Sequence, residues 1–280
     1  MATGTVNAFS VDVEDWYQVA DFDAVVGFAD WDRYESRVAR NTDRILALCD
    51  EAGVHGTFFV LTWNAERHPD IVRRIVAAGH EIASHGYAHR LIYEQTPETF
   101  RDDITRAKAT LEDITGTAVL GYRAPSASVT PRSLWALDVL LDVGLRYDSS
   151  IFPIRDTLYG LPDADRFPHV IRRRDGRELL EFPLATTRLF GRNVPLAGGG
   201  WLRVFPYRYT RWAMRRVNRE GHPAVAFVHP WELDPEQPRM RTAGRRGFST
   251  HYVGLRGTYG KLRRLFRDFR FAPLRDVLGL

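Results

Sequence analysis

Short runs of Val, Ile and Phe recur along this chain, most followed by a stretch of helical periodicity that closes on a glycine. That alternation admits few folds, because a helix joining two buried strands runs the chain back so that the strands lie parallel. Asn7 to Val11 is expected as a first strand, a helix through Ile45, Leu46, Leu48 and Cys49 ends at Gly53, and Thr57 to Leu61 is the next strand. Pro69 opens a helix that stops at Gly79, Glu81 to Ala83 makes a short strand, and Pro97 starts a long helix toward Gly116. Leu120 to Tyr122 follows. Thr130 and Pro131 then read as N-cap and first residue of a helix through Leu134, Leu137, Leu140 and Leu141, closed by Gly144 before a strand near Tyr147. Leu179 to Phe182 and Ala224 to Val228 complete the strands, the second preceded by a helix near Tyr207 to Glu220. Gly191 to Gly200 reads as a loop, and Leu262, Leu265, Phe266 and Phe269 share one face of a C-terminal amphipathic helix. The expectation is an α/β protein with a distorted (β/α) barrel of about seven strands.

The chain's 280 residues, 44% of them hydrophobic and 26% charged, suit one such barrel and exclude a disordered chain. The lone Cys49 sits in a helical apolar pattern and reads as a small core residue. No basic segment followed by an apolar one opens the chain and no membrane-length apolar run occurs, which favours the cytoplasm. Between Arg239 and Arg275 there are eleven Lys or Arg, with Asp268 the acid among them. Such a tail reads first as a solvated helix face, and second as a contact for an anionic polymer, a phosphate-bearing lipid carrier or a membrane surface. Nucleic acid is not expected as a partner.

Polar residues with catalytic potential gather where the expected strands end. Asp12, Glu14 and Asp15 follow the first, His85 and His89 the strand at Glu81, Arg123 the strand at Leu120, Asp148 the strand at Tyr147 and His229 the strand at Ala224. In parallel barrels these ends converge on one face, so groups distant in sequence would meet there. Singly each has a plain explanation: a capping histidine, a turn aspartate or a surface arginine. Together, a carboxylate and two neutral imidazoles make a three-ligand site for a divalent metal such as zinc, cobalt, nickel or manganese. A further carboxylate could serve as base toward water, and a histidine opposite could protonate a leaving nitrogen.

At these residues the sequence resembles the polysaccharide deacetylases of the NodB-homology type, carbohydrate esterase family 4. Ser-Val-Asp-Val-Glu-Asp-Trp at 10 to 16, Ser-His-Gly-Tyr-Ala-His at 84 to 89, Arg-Ala-Pro at 123 to 125, Asp-Ser-Ser at 148 to 150 and Phe-Val-His at 227 to 229 follow the family's motif order. The segment from His229 to Arg239, with His251-Tyr252 and the basic helix, resembles the exosortase-associated branch that carries a C-terminal extension. The resemblance implies a deacetylase barrel over residues 1–235 with a basic extension, 236–280, packed on it. It implies Asp12 as general base, His85 and His89 as metal ligands, His229 as general acid, and Arg123 as the residue orienting the base. Asp148 would fix Arg123 or His229, and a backbone N–H near Ser126 would face the oxyanion.

The family's common first motif has two adjacent Asp, whereas Asp12-Val13-Glu14-Asp15 stands here, so the third ligand is Glu14 or Asp15. Strand alternation favours Glu14 and the shorter side chain favours Asp15, to which a slight preference is given. Trp16, Trp201 and Trp231 are candidate stacking faces for a sugar ring. The resulting expectation is a metal-dependent N-deacetylase acting on N-acetylated sugars of an exopolysaccharide or its lipid-linked precursor. The alternatives are hydrolysis of small cyclic amides, as in allantoinases, and a non-catalytic carbohydrate-binding or assembly role.

Overall fold

The structure is a computed structural model and describes residues 4–156, 159–240 and 250–280. Its strands are β1 (Val6–Val13), β2 (Thr57–Val60), β3 (Glu81–Ser84), β4 (Gly121–Tyr122), β5 (Tyr147–Asp148), β6 (His169–Arg174), β7 (Arg177–Glu181), β8 (Thr186–Leu189), β9 (Arg192–Pro195), β10 (Val225–Val228) and β11 (Arg270–Ala272). The helices are α1 (Val38–Ala52), α2 (Thr62–Arg67), α3 (Pro69–Ala77), α4 (Pro97–Thr115), α5 (Ala136–Asp142), α6 (Gly200–Val204), α7 (Tyr207–Arg219), α8 (Leu255–Asp268) and α9 (Leu274–Leu278).

Seven parallel strands in the order β10-β1-β2-β3-β4-β5-β7 form a curled sheet of the distorted (β/α)7 kind, and β6 extends it as an antiparallel edge. β2 carries Thr-Phe-Phe-Val with every residue buried, and β1 is buried from Asn7 onward, as strands covered on both faces must be. The helices cover the outer face and bury Ile45, Leu48, Ile75, Ile104 and Leu140 against Phe9, Val11 and Phe58. Cys49 is buried among them. At the C-terminus β11 pairs with the start of β1, and α8 buries Leu262, Leu265 and Phe266, with Phe269 buried just beyond its end. Arg241, Arg245 and Arg246 of the basic stretch lie outside the described residues. No helix among the described residues is long and apolar enough to cross a membrane.

Three local expectations are corrected. The helix foreseen from Pro131 begins at Ala136: Ser133 Oγ accepts the Thr130 N–H at 2.9 Å and itself donates to Ser128 O, which holds 131–135 in turns. The expected loop at 191–200 holds β9, which with β8 makes an antiparallel hairpin, and the first residue of α6. Beyond that hairpin Gly198 bridges to Phe227, and a Cβ on Gly198 would sit 2.0 Å from the Phe227 ring, so only glycine lets the backbone pass this close beside the cleft. β6 was not foreseen because its His-Val-Ile-Arg-Arg-Arg sequence is a half-exposed, basic edge without the apolar run of its neighbours.

Candidate active site

The C-terminal ends of the strands open onto a cleft of about 340 Å³ lined by Asp12, Glu14, His85, His89, Arg123 and His229, among others. β1 runs as regular strand to Val13, so Asp12 and Glu14 project to the same side, and a turn closed by the Glu14 N–H on Asp12 O at 3.0 Å begins there. His85 leaves β3 directly. Gly86, at φ 75°, turns the chain, and His89 itself stands at φ 52°, a backbone region unusual for a non-glycine residue. These two departures return His89 to His85, with ring centroids 5.4 Å apart.

Glu14, His85 and His89 each present one donor atom, and the three atoms lie within 4.8 Å of one another. His85 Nδ1 is tied to Arg123 O at 2.8 Å, which leaves Nε2 for the cluster. His89 Nε2 lies 2.9 Å from Glu14 Oε2, yet Glu14 Oε2 and His89 Nδ1 are buried without a hydrogen-bond partner. Burial, and then His89, push His85 down to about 3, so it is a neutral imidazole with a free lone pair. Burial works against ionised Glu14, but His89 and His229 override it and hold its carboxyl below the usual range.

Asp12 is held by the buried Arg123. Arg123 Nη1 donates to Asp12 Oδ1 at 2.7 Å and to Ser10 Oγ at 2.8 Å, while Nε and Nη2 reach Ser149 O and Oγ. His229 Nε2 stands 3.9 Å from Asp12 Oδ2 and 3.1 Å from Glu14 Oε1, and Nδ1 lies 3.1 Å from Glu232 Oε2. Burial alone disfavours a charged ring, but Glu14, Glu232 and Asp12 prevail and hold His229 up to about 9. Glu232 is likewise opposed by burial and brought down to about 2 by His229 and Arg203.

The preference for Asp15 as third ligand is corrected. Asp15 Oδ1 accepts the Trp16 N–H at 2.9 Å and Oδ2 accepts those of Arg37 and Val38 at 2.8 and 3.1 Å, so its carboxylate serves the start of α1. Asp148 is corrected too, since it bonds neither Arg123 nor His229 but takes the Ser150 hydroxyl at 2.5 Å and pairs with Glu181. Trp16 is removed from the cleft: it packs against Tyr17 and Tyr34, and its Nε1 donates to Glu35 O. Ser126, Trp201 and Trp231 do line the cleft, Ser126 at φ 50°. The residues not foreseen are Glu232, Arg203 and His251. The His-x-x-Glu spacing of 229 and 232, which lets a side chain bond a backbone N–H three residues back, was a usable signal for Glu232. Arg203 and His251 carry no comparable signal.

The pairing of Asp148 with Glu181 gives a stability prediction. Burial raises Asp148 to about 6, and burial with the Asp148 charge raises Glu181 further. Both folded values exceed the unfolded ones, so the stability they contribute is full below about pH 4 and is lost as pH rises through 6. Glu181→Gln keeps an acceptor for the Ile151 N–H and offers Asp148 a donor that does not titrate. Its melting temperature is expected to match wild type near pH 4 and to exceed it at pH 8 by about 2–4 °C per kcal/mol regained. A parallel fall in both proteins across that range, read by calorimetry, would refute the pairing.

Residues 23–147 match the family of polysaccharide deacetylases, and residues 149–279 match a domain of unknown function, DUF3473. A peptidoglycan-N-acetylglucosamine deacetylase of Bacillus cereus is 33% identical over 98 residues, covering 35% of this chain and 36% of that protein. The chain thus matches little more than a third of the length of that relative. The crystal structure of a Mycobacterium smegmatis protein described as a polysaccharide deacetylase superposes with a TM-score of 0.66 at 23% identity, covering 100% of this chain and 94% of that one. An allantoinase structure superposes with a TM-score of 0.63 at 17% identity, covering 97% and 88%. At such identities the two structures speak to the fold alone. Residues 23–147 are thus similar to the polysaccharide deacetylases, and the fold is the curled barrel seen in those structures.

Proposed function

We propose that this chain is a metal-dependent N-deacetylase of N-acetylated sugars, with the ion held by Glu14, His85 and His89. The observation that carries the reading is this cluster standing beside Asp12 and His229, with His229 Nε2 3.1 Å from Glu14 Oε1 and 3.9 Å from Asp12 Oδ2. The donor set fits a divalent ion: one carboxylate, two imidazoles, and the unpartnered buried oxygen Glu14 Oε2. Zinc suits it first, and cobalt, nickel or manganese are compatible. Once held, the ion would polarise the acyl carbonyl as a Lewis acid.

The protein's own groups complete the reaction. Asp12, fixed through Oδ1 by Arg123, takes a proton from water through Oδ2 as the water oxygen bonds the acyl carbon. The C–N bond then breaks with its electron pair staying on nitrogen, which takes a proton from His229 Nε2, releasing acetate and an amine. Without that proton the leaving group would be an amide anion, which is too basic to depart. Trp201, Trp231 and the exposed Ser126 are the proposed contacts to the sugar, since they share the cleft with these groups.

For the acceptor we favour an exopolysaccharide or its lipid-linked precursor. The supports are the resemblance of the C-terminal segment and the exposed Arg263, Arg264 and Arg267 on α8, which suit an anionic carrier. Residues 236–280 would act as an extension of the barrel of 1–235, because β11 and α8 pack on its strands.

Purified protein given N-acetylglucosamine oligomers is expected to release acetate, to stop when a chelator strips the metal, and to recover when zinc is restored. Turnover of cyclic ureides with none of acetylated glycans would refute the reading.

A further inference from the structure

His229 is held from outside the segment that carries the family match, and this inference rests on the deacetylase reading above. Both of its ring nitrogens face carboxylate oxygens, Nε2 toward Glu14 Oε1 and Nδ1 toward Glu232 Oε2, each at 3.1 Å. With Nδ1 engaged by Glu232, Nε2 is the ring nitrogen that faces the cleft. Glu232 Oε2 also accepts the backbone N–H of His229 at 2.9 Å, which locks the ring to its own main chain. Asp148, the residue expected from the motif order to fix Arg123 or the acid, accepts from Ser150 and sits opposite Glu181 instead.

We propose that Glu232 is the positioning residue for the acid, and that Arg203 and the Trp231–His251 stack hold Glu232 in turn. Arg203 Nε donates to Glu232 Oε1 at 2.5 Å, while its Nη1 donates to His251 O at 2.7 Å and Val253 O at 2.6 Å. The indole of Trp231 lies between two imidazoles, 5.1 Å from His229 and 3.9 Å from His251, with planes 17° apart in both cases. His251 Nε2 donates to Gln237 Oε1 at 2.7 Å, and the Gln237 amide donates to Trp231 O and Asp234 O. Every member is buried or half-buried, and each is fixed by another from residues 201–253. The segment from 149 onward is therefore the proton-delivering half of the catalytic centre, while the ends of β1 and β3 supply the base and the metal ligands, and Arg123 after β4 holds the base.

A residue that positions the acid matters only where the leaving group needs a proton. An amide nitrogen needs one, whereas the 4-nitrophenolate of 4-nitrophenyl acetate departs unprotonated. Glu232→Gln must turn its amide nitrogen toward either Arg203 or His229, both of which donate, and so loses one of them. The zinc-loaded full chain carrying Glu232→Gln is expected to lose about 10²-fold or more in kcat on N-acetylglucosamine oligomers, with KM unchanged. Its hydrolysis of 4-nitrophenyl acetate and its zinc content should stay at wild-type levels, which also reports that it is folded. Glu232→Asp keeps the charge opposite Arg203 but draws the carboxylate back from His229, and it carries the same test if the glutamine variant does not fold. Equal losses on both substrates, a change confined to KM, or full amide activity would each overturn the proposal. Wild-type protein inactive on the acetylated oligomers would instead overturn the deacetylase reading beneath it.

Discussion

Asp12→Asn is expected to lower acetate release from N-acetylglucosamine oligomers by about 10³-fold, within the range for removal of a general base, while zinc stays bound. Asp12 is buried, and one oxygen is committed to Arg123 at 2.7 Å, which leaves Oδ2 to receive the proton. Asparagine can still accept from Arg123 through its carbonyl, so the geometry is largely kept and the base is lost. A stability cost accompanies this, because Arg123 is among the largest fully buried side chains and its cationic head loses its anion. Breaking a buried ion pair costs about 3–5 kcal/mol, and here the loss is moderated by Ser10 and by the Ser149 carbonyl and hydroxyl, which still accept. The assay must therefore run well below the variant's melting temperature, beside a metal analysis of the same preparation. Activity within tenfold of wild type, with zinc bound, would remove Asp12 from the role of base.

Much of this site was legible because it rests on backbone periodicity. Residues that directly follow parallel strands meet at one end of the sheet, so His85, Arg123 and His229 could be placed together from the strands alone. Strand alternation also put Asp12 and Glu14 on one side, and β1 proves regular as far as Val13. The preference for Asp15 failed because it weighed side-chain length against register. It took no account of the N–H groups of Arg37 and Val38 at the start of α1, some twenty residues on, which need an acceptor. Trp16 misled in a similar way: a tryptophan beside a motif looks like a sugar platform, but here it closes an aromatic cluster with Tyr17 and Tyr34.

What stayed hidden depends on contacts with no local pattern. Arg203 and Glu232 are 29 residues apart and meet only because α6 and the turn after β10 are packed together. Asp148 holds its motif position at the end of β5, yet its register partner on β7 is Glu181, and the second buried carboxyl captures it. Neither could be found by spacing, since the deciding neighbour lies on another strand or helix.

Glu14 and Asp15 can be separated by one pair of variants with opposite expected effects. Glu14→Ala removes the carboxylate whose oxygen lies 2.9 Å from His89 Nε2, and is expected to weaken zinc binding by more than about 10²-fold, beyond the usual cost of losing an outer partner. Its fold should hold without metal, because the lost carboxylate accepts no backbone hydrogen bond and the imidazoles it faces, His89 and His229, line the cleft. Asp15→Asn should do the reverse. Its carboxylate accepts three backbone N–H groups, and an amide must turn its own NH₂ toward at least one of them. That conflict costs about 1–3 kcal/mol, seen as a lower melting temperature, with zinc affinity close to wild type. Competition titration against a chromogenic chelator reads the affinities, and calorimetry of the metal-free proteins reads the stabilities. If Asp15→Asn lost the metal while Glu14→Ala kept it, Asp15 would be the ligand and the cluster of Glu14, His85 and His89 would not be the metal site.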